Sequence, residues 1–215
     1  YGKIYNTEME KEDHPLWKEV EAKFNKEMPD IVGISLMTPQ FAQAILTAKL
    51  AKKVKPDCRV IMGGVHPTIL PEECLESEYV DFVVVGEGEE TIVELTNAIS
   101  SELKGDKVNY SEIKSVGYKE GNKKIVNPRR EMISNLDLLP YPIRDYEKKS
   151  EKDFMVSRVS LLSGRGCPYQ CTFCARKPMW GNGVRLRSPE SVVDEIEFVY
   201  KKYGCRFVMF EDDTF

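Results

Sequence analysis

Three of the six cysteines fall within one short stretch, GRGCPYQCTFCARKPMWG (164–181). They are Cys167, Cys171 and Cys174, separated by three residues and then by two. A structural zinc ion takes four nitrogen or sulfur ligands, and this loop offers three. The two histidines, His14 and His66, lie in the other half of the chain, so zinc here needs a fourth ligand from a distant segment. Three unrelated buried thiols fit poorly in a loop that carries Gly and Pro. A cubane iron–sulfur cluster held by three thiolates leaves one iron open to a ligand, whereas a cluster that only carries electrons takes four cysteines. The spacing therefore points to chemistry on a bound ligand, with zinc plus a distant ligand as the alternative. Cys58, Cys74 and Cys205 stand singly. That is not the even framework of a small secreted domain, and a reducing cytoplasm is expected.

The chain has 215 residues, 41% hydrophobic and 31% charged, with a net charge of −4. This is an ordinary globular composition for one or two domains. No apolar run approaches the ~18 residues of a spanning helix. No global basic field argues for nucleic acid. The first half alternates strand and helix patterns. DIVGISL (30–36), CRVIMGG (58–64) and VDFVVVGEGE (80–89, as far as Val85) predict buried strands. Between them, residues 39–55 predict a helix, with Phe41, Ala44, Ile45, Ala48 and Ala51 on one face. Residues 90–103 predict another, with Ile92, Val93, Leu95 and Ile99. Such alternation implies a parallel α/β sheet. KIYN (3–6) fits one more strand. SVGYKEGNKKIVN (115–127) predicts a hairpin about Gly121-Asn122, and LDLLPYPIRDYE (136–147) a linker.

A second α/β unit follows. RVSLLSG (158–164) predicts a strand with the cysteine segment as its loop. Ser188-Pro189-Glu190 starts a helix that ends at Lys201, Lys202 and Gly204, and RFVMF (206–210) is the next strand. The expected domains are 1–106, a hairpin and linker at 107–150, and 151–215.

Ligands of open parallel sheets bind at the carboxyl ends of the strands. The distinctive residues of the first half stand there: 35–38 after one strand, 63–68 after the next and 86–89 after the third. Glycines at these places let a bulky ligand approach the backbone; plain turns are the alternative. From 154 to 189 there is no acidic residue, while Arg158, Arg165, Arg176, Lys177, Arg185 and Arg187 are present. Charge balance beside an anionic cluster explains this, as does recognition of an anionic substrate. Trp180 fits either ligand stacking or core packing.

CPYQCTFC resembles the cluster motif of the radical S-adenosylmethionine (SAM) enzymes. The resemblance implies a [4Fe–4S] cluster on Cys167, Cys171 and Cys174, with Phe173 just before the last ligand. It also implies an open iron that chelates SAM, and reductive cleavage of SAM to methionine and a 5′-deoxyadenosyl radical. FEDDTF (210–215) stands where a polar segment of that family touches the SAM amino group. It departs from the family's Gly-Gly-Glu pattern; Glu211, Asp212 and Asp213 are the candidates it offers.

The first half resembles the cobalamin-binding domain. GISLMTP (33–39) matches its Ser-x-Leu segment and MGGVHPT (62–68) its Gly-Gly segment, 25 residues apart (38–62). With LPYP (139–142), the resemblance covers nearly the whole chain. It implies a cobalamin site formed by Ser35, Thr38, Gly63, Gly64, His66, Thr68, Gly86, Glu87 and Gly88. The Asp-x-His-x-x-Gly that supplies the lower cobalt ligand in some members is absent from the 34 residues before Ser35. In the resembling domains the position of His66 belongs to a loop near the corrin, which implies a place beside the cofactor rather than the role of lower ligand.

Together the resemblances imply a Rossmann-like (flavodoxin-like) parallel sheet followed by the start of a radical SAM partial (β/α) barrel. The implied activity is methylation of an unactivated carbon of a small molecule by a cytoplasmic enzyme, with electrons from a donor such as flavodoxin or ferredoxin and no nucleic acid or membrane partner. A non-methylating radical enzyme, like the anaerobic porphyrin cyclases, and a scaffold module without catalysis are the alternatives. In the flavodoxin-like order a first strand would precede Tyr1, and further barrel strands would follow Phe215. The chain is therefore expected to be a fragment with open sheet edges.

Overall fold

The computed structural model describes residues 11–144 and 158–214. The expected strand at 3–6, the end of the linker, the start of the second unit and Phe215 lie outside the described residues. The chain divides into two compact units, Tyr1–Glu131 and Met132–Phe215.

The first unit opens with α1 (Pro15–Glu27), a helix not anticipated from sequence. His14 caps it: its Nδ1 accepts from the Leu16 amide at 3.2 Å, and Pro15 takes a first-turn position. It buries Trp17, with Leu16, Val20 and Phe24 half-buried at helical spacing beside it, and Phe24 packs against the sheet's core. The expected alternation follows as β1 (Ile31–Ser35), α2 (Phe41–Val54), β2 (Arg59–Gly63), β3 (Phe82–Val84) and α5 (Glu89–Leu103). Between β2 and β3 lie two short helices, α3 (Val65–Ile69) and α4 (Pro71–Glu76).

The sheet order is β1-β2-β3-β4-β5. The first three strands are parallel, in a register that runs from Ile31 opposite Arg59 to Ser35 opposite Gly63. Alternate residues of a strand point to opposite faces, and the two cores show it. Val60, Met62 and Val83 pack with Ala44, Ala48 and Ala51 of α2. Ile61, Phe82 and Val84 pack with Leu95 and Ile99 of α5 on the other face. Helices on both faces of a sheet buried on both sides are what a largely parallel sheet requires.

The hairpin expected outside the first domain continues this sheet. β4 (Val116–Glu120) pairs antiparallel with β3, and β5 (Lys123–Val126) with β4. Gly121, at φ 59, makes the turn between them; primed hairpin turns require that left-handed conformation.

In the second unit, β6 (Arg158–Leu161) pairs parallel with β9 (Phe207–Phe210), and α7 (Pro189–Tyr203) connects toward β9. Val159, Leu161, Val199 and Cys205 form its core. Ser188 caps α7 by accepting from the Ser191 amide at 3.1 Å, and Gly204 closes it at φ 69, as expected. Inside the unit, Glu195 is buried between Arg144 (2.9 Å) and Arg187 (2.5 Å). One expectation is corrected. The strand at 158–164 ends at Leu161, and Gly164 begins β7 (Gly164–Cys167), which pairs antiparallel with β8 (Gly183–Leu186). The cysteine segment is thus the connection of a hairpin. β7 escaped notice because two of its four residues are glycine. Their reason is steric: a Cβ on Gly166, whose φ is +94, would stand 2.3 Å from the Gly183 carbonyl oxygen.

Candidate functional site

Cys167 is the last residue of β7, opposite Gly183. Cys171 and Cys174 are exposed on the loop beyond it, and all three thiols are unpaired. The Cys174 amide donates to the Cys171 carbonyl at 3.1 Å, which makes a tight turn between the two. A short helix, α6 (Arg176–Trp180), follows. Arg176 is buried and donates to the carbonyls of Tyr169 (2.5 Å) and Gly181 (2.9 Å), so it ties the two limbs of the loop together. Arg165 lies over the Trp180 ring at 5.1 Å. Arg185 donates to the Ile133 carbonyl, and Arg187 bonds Glu195 and Ser191. Of the cations singled out in the sequence, Arg165, Arg176, Arg185 and Arg187 therefore have work inside the unit. Phe173 is 91% exposed.

Thr214 Oγ1 lies 3.0 Å from the Cys167 sulfur. That hydroxyl, and then the Tyr169 amide, holds the Cys167 thiol below the ordinary cysteine value. Asp212 and Asp213 turn toward β7. Asp212 accepts from the Gly164 amide at 2.7 Å and the Ser163 hydroxyl at 3.0 Å. Asp213 accepts from the Gly166 amide at 3.1 Å, and Glu211 from the Ser160 hydroxyl at 3.1 Å.

As they stand, no three His, Cys, Asp or Glu side chains among the described residues converge as a metal-binding group. The donor set is nonetheless that of a thiolate-bound cluster: three unpaired thiols, one of them acidified, on a loop with no carboxylate. The histidines that a zinc site would need are engaged in the first unit, His14 as the cap of α1 and His66 in the core.

In the first unit, the parallel register brings the ends of β1, β2 and β3 to one edge, and their loops are bonded to one another. Leu36 donates to the Gly63 carbonyl at 2.9 Å and accepts from the His66 amide at 3.3 Å. Thr68 is buried; its hydroxyl donates to the Gly64 carbonyl at 2.7 Å and accepts from the Gly86 amide at 2.9 Å. It thereby bridges the second and third loops. Arg129 donates to the Thr68 carbonyl at 2.9 Å. His66 is 1% exposed, with Nδ1 3.2 Å from Thr38 Oγ1 and its ring 4.4 Å from that of Phe41. Its Nε2 has no hydrogen-bond partner; Glu73 lies 3.7 Å away.

The glycines do not all serve access. A Cβ on Gly64, at φ +97, would meet the Leu36 carbonyl oxygen at 2.8 Å, so this glycine lets two loops approach each other. A Cβ on Gly86, at φ +81, would meet nothing within 4 Å. Gly63 and Gly88 face Val84 at 4.0 and 3.6 Å. Ser35 and Thr38 are exposed, and Glu87 is half-buried. Sequence reasoning missed Thr214 and Arg129, and it gave Arg176 no role within the loop. Thr214 sits beside motif residues, but a single hydroxyl or guanidinium carries no periodic signal.

A doubly covered sheet whose strand-end loops are bonded together, in one chain with a three-cysteine hairpin loop, defines the fold: a Rossmann-like domain followed by a second α/β unit. Comparison with known proteins agrees. Residues 3–96 match the B12 binding domain family. The chain is 38% identical over 192 residues to an uncharacterized methyltransferase of Pyrococcus horikoshii, covering 87% of this chain and 40% of that protein. It is 32% identical over 201 residues to the anaerobic magnesium-protoporphyrin IX monomethyl ester cyclase of Rubrivivax gelatinosus, covering 91% of this chain and 35% of that protein. Among solved structures, the radical S-adenosylmethionine methyltransferase TsrM from Kitasatospora setae, with cobalamin and a [4Fe–4S] cluster bound, shares the fold. Its TM-score is 0.67 at 19% identity, over 92% of this chain and 40% of that one. Residues 3–96 are thus similar to the B12 binding domain family, and the chain spans 35–40% of the length of these relatives. No helix among the described residues is long and apolar enough to cross a membrane.

Proposed function

We propose that this chain is the cofactor-binding portion of a cobalamin-dependent radical SAM enzyme that methylates an unactivated carbon of a small molecule. The observation that carries the reading is the trio of unpaired thiols at C-x3-C-x2-C spacing, at the mouth of a hairpin, in one chain with a B12-binding domain. When bound, the cluster supplies an electron for reductive cleavage of SAM, and cobalamin supplies a methyl group.

The chain's own residues do the positioning. Cys167, Cys171 and Cys174 hold the cluster, and Arg176 fixes the separation of the loop limbs that carry them. Phe173, fully presented to solvent, offers an aromatic face to a ligand beside Cys174. In the first unit, Ser35, Thr38, Gly63, Gly86, Glu87 and Gly88 line the corrin site. Gly64, His66 and Thr68 hold those loops in register beneath it. Reduction comes from a protein such as a flavodoxin or ferredoxin, in the cytoplasm.

The test is turnover with SAM bearing a labelled methyl group, a low-potential reductant and small-molecule acceptors. Label in the acceptor, lost in a Cys171→Ala variant, is the expected result. Since a cyclase stands among the relatives, the second reading is non-methylating. A product that loses hydrogen and gains no carbon would favour it and overturn methylation.

A further inference from the structure

The three residues that follow β9 are arranged against β7 one after another. Gly164 and Gly166 are two apart in a strand, so their amides point to the same edge. Asp212 takes the first amide at 2.7 Å and Asp213 the second at 3.1 Å. Thr214 then reaches the sulfur of Cys167, the next residue of the strand, at 3.0 Å. On its other side β7 is paired with β8. The carboxylates thus do with side chains what a third strand would do with carbonyls, and they satisfy the amides of Gly164 and Gly166. A carboxylate accepting from an amide makes a stronger bond than a neutral acceptor does. Glycine strands need such support, because they lose the most conformational freedom on ordering.

Resting on the cluster assignment above, we propose that Asp212, Asp213 and Thr214 form a clasp that positions the Cys167 strand for the cluster, with the Thr214 hydroxyl donating to the ligated sulfur and raising the cluster's reduction potential. The Thr214 hydroxyl has one proton and two neighbours, the sulfur and the Asp213 carbonyl at 2.8 Å. A cluster-bound sulfur is a thiolate, and charge on the acceptor strengthens the bond to it. A donor at that sulfur stabilises the more negative, reduced state, and hydrogen bonds to cluster sulfurs are among the determinants of cluster potential. Asp212 and Asp213 are then positioning residues, and the acidic segment acts on the protein's own strand rather than on a ligand's amino group.

The experiment is anaerobic reconstitution of the protein with iron and sulfide, followed by iron analysis and a spectroscopic redox titration. Thr214→Val is nearly isosteric and changes no charge. It should keep its iron and shift the midpoint downward, by about a tenfold change in the reduction equilibrium, roughly 59 mV for one electron. Thr214→Ser should restore the wild-type potential. Asp212→Ala, which removes the acceptors of both the Gly164 amide and the Ser163 hydroxyl, should lower iron uptake severalfold, and Asp213→Ala less, since Asp213 takes one amide and no hydroxyl. A Thr214→Val protein with the wild-type potential would overturn the tuning role, and full iron uptake by Asp212→Ala would overturn the clasp. Wild-type protein that takes up no iron would instead remove the cluster assignment on which both rest. In that case the Cys167→Ala control would match wild type.

Discussion

The two candidate sites are built by different physics. The strand-end loops of the first unit are bonded mainly through backbone and one buried hydroxyl, above a sheet whose two faces are both packed with aliphatic side chains. The cysteine loop of the second unit is held by charged side chains reaching backbone: Arg176 from within the loop, and Asp212 and Asp213 from the end of β9. The first arrangement fails when its core or its close approaches are altered. The second fails when a charge or a single polar atom is removed. Their cysteines show the same contrast. Burial, and then the charge of Glu73, pushes the Cys74 thiol up to about 12, whereas a hydroxyl and an amide pull the Cys167 thiol below its ordinary value.

The largest expected effect breaks the first unit through its core. Leu95 is fully buried between α5 and the sheet. Leu95→Ala should cost about 2–5 kcal/mol, read as a lower denaturant midpoint. An unchanged midpoint would mean that the packing described on this face is wrong.

Next comes Gly64→Val. Strain from a β-branched residue at this positive φ is about 1–3 kcal/mol, and the new Cβ also meets the Leu36 carbonyl. The variant should lose cobalamin during gel filtration. Retention equal to wild type would contradict the bonded-loop account.

Thr68→Val is subtler. It keeps the shape and leaves the Gly86 amide without its acceptor, which should cost about 1–3 kcal/mol. Thr68→Ser should recover most of that. If valine and serine behave alike in thermal unfolding, the bridging hydroxyl has no role.

The legibility of the chain follows the same division. β1, β2, β3, α2, α5 and α7 could be read from periodicity and caps, because many side chains repeat one environment. The cysteine motif could be read from spacing alone. Other features rest on relations between distant residues. α1 fully buries Trp17 alone, and its half-buried Phe24 packs against a core assembled from the rest of the unit. β7 and β8 are strands because Gly166 lets two backbones meet. The 115–127 hairpin was recognised as a hairpin, but its place beside β3 depends on tertiary pairing. The acids at 212 and 213 were candidates for a ligand's amino group, and their bonds to Gly164 and Gly166 depend on tertiary placement that no local pattern announces.

The smallest expected effect sharpens the contrast between the two thiols. Cys167 has a folded value below its unfolded one, so its thiolate is populated at lower pH when folded. Its contribution to stability is present above the ordinary value of 9.0 and lost as pH falls through the lowered one. Cys74 has the opposite sign: its contribution is complete below 9.0 and lost as pH rises toward about 12. Alkylation followed by peptide mass analysis should label Cys167 at a pH where Cys74 is untouched. In Thr214→Val, labelling of Cys167 should need a higher pH. Equal labelling of Cys74 and Cys167 in the folded protein would erase the distinction.

The central claim is that the second unit's three thiols hold one iron–sulfur cluster with an open iron. Metal analysis after anaerobic reconstitution tests it most directly. The account predicts roughly four irons per chain, lost on Cys→Ala at 167, 171 or 174 and unaffected by the same change at Cys58, Cys74 or Cys205. It also predicts a change in the reduced cluster's electron paramagnetic resonance spectrum when SAM is added. One zinc per chain in tetrahedral sulfur coordination, with no iron, would contradict it.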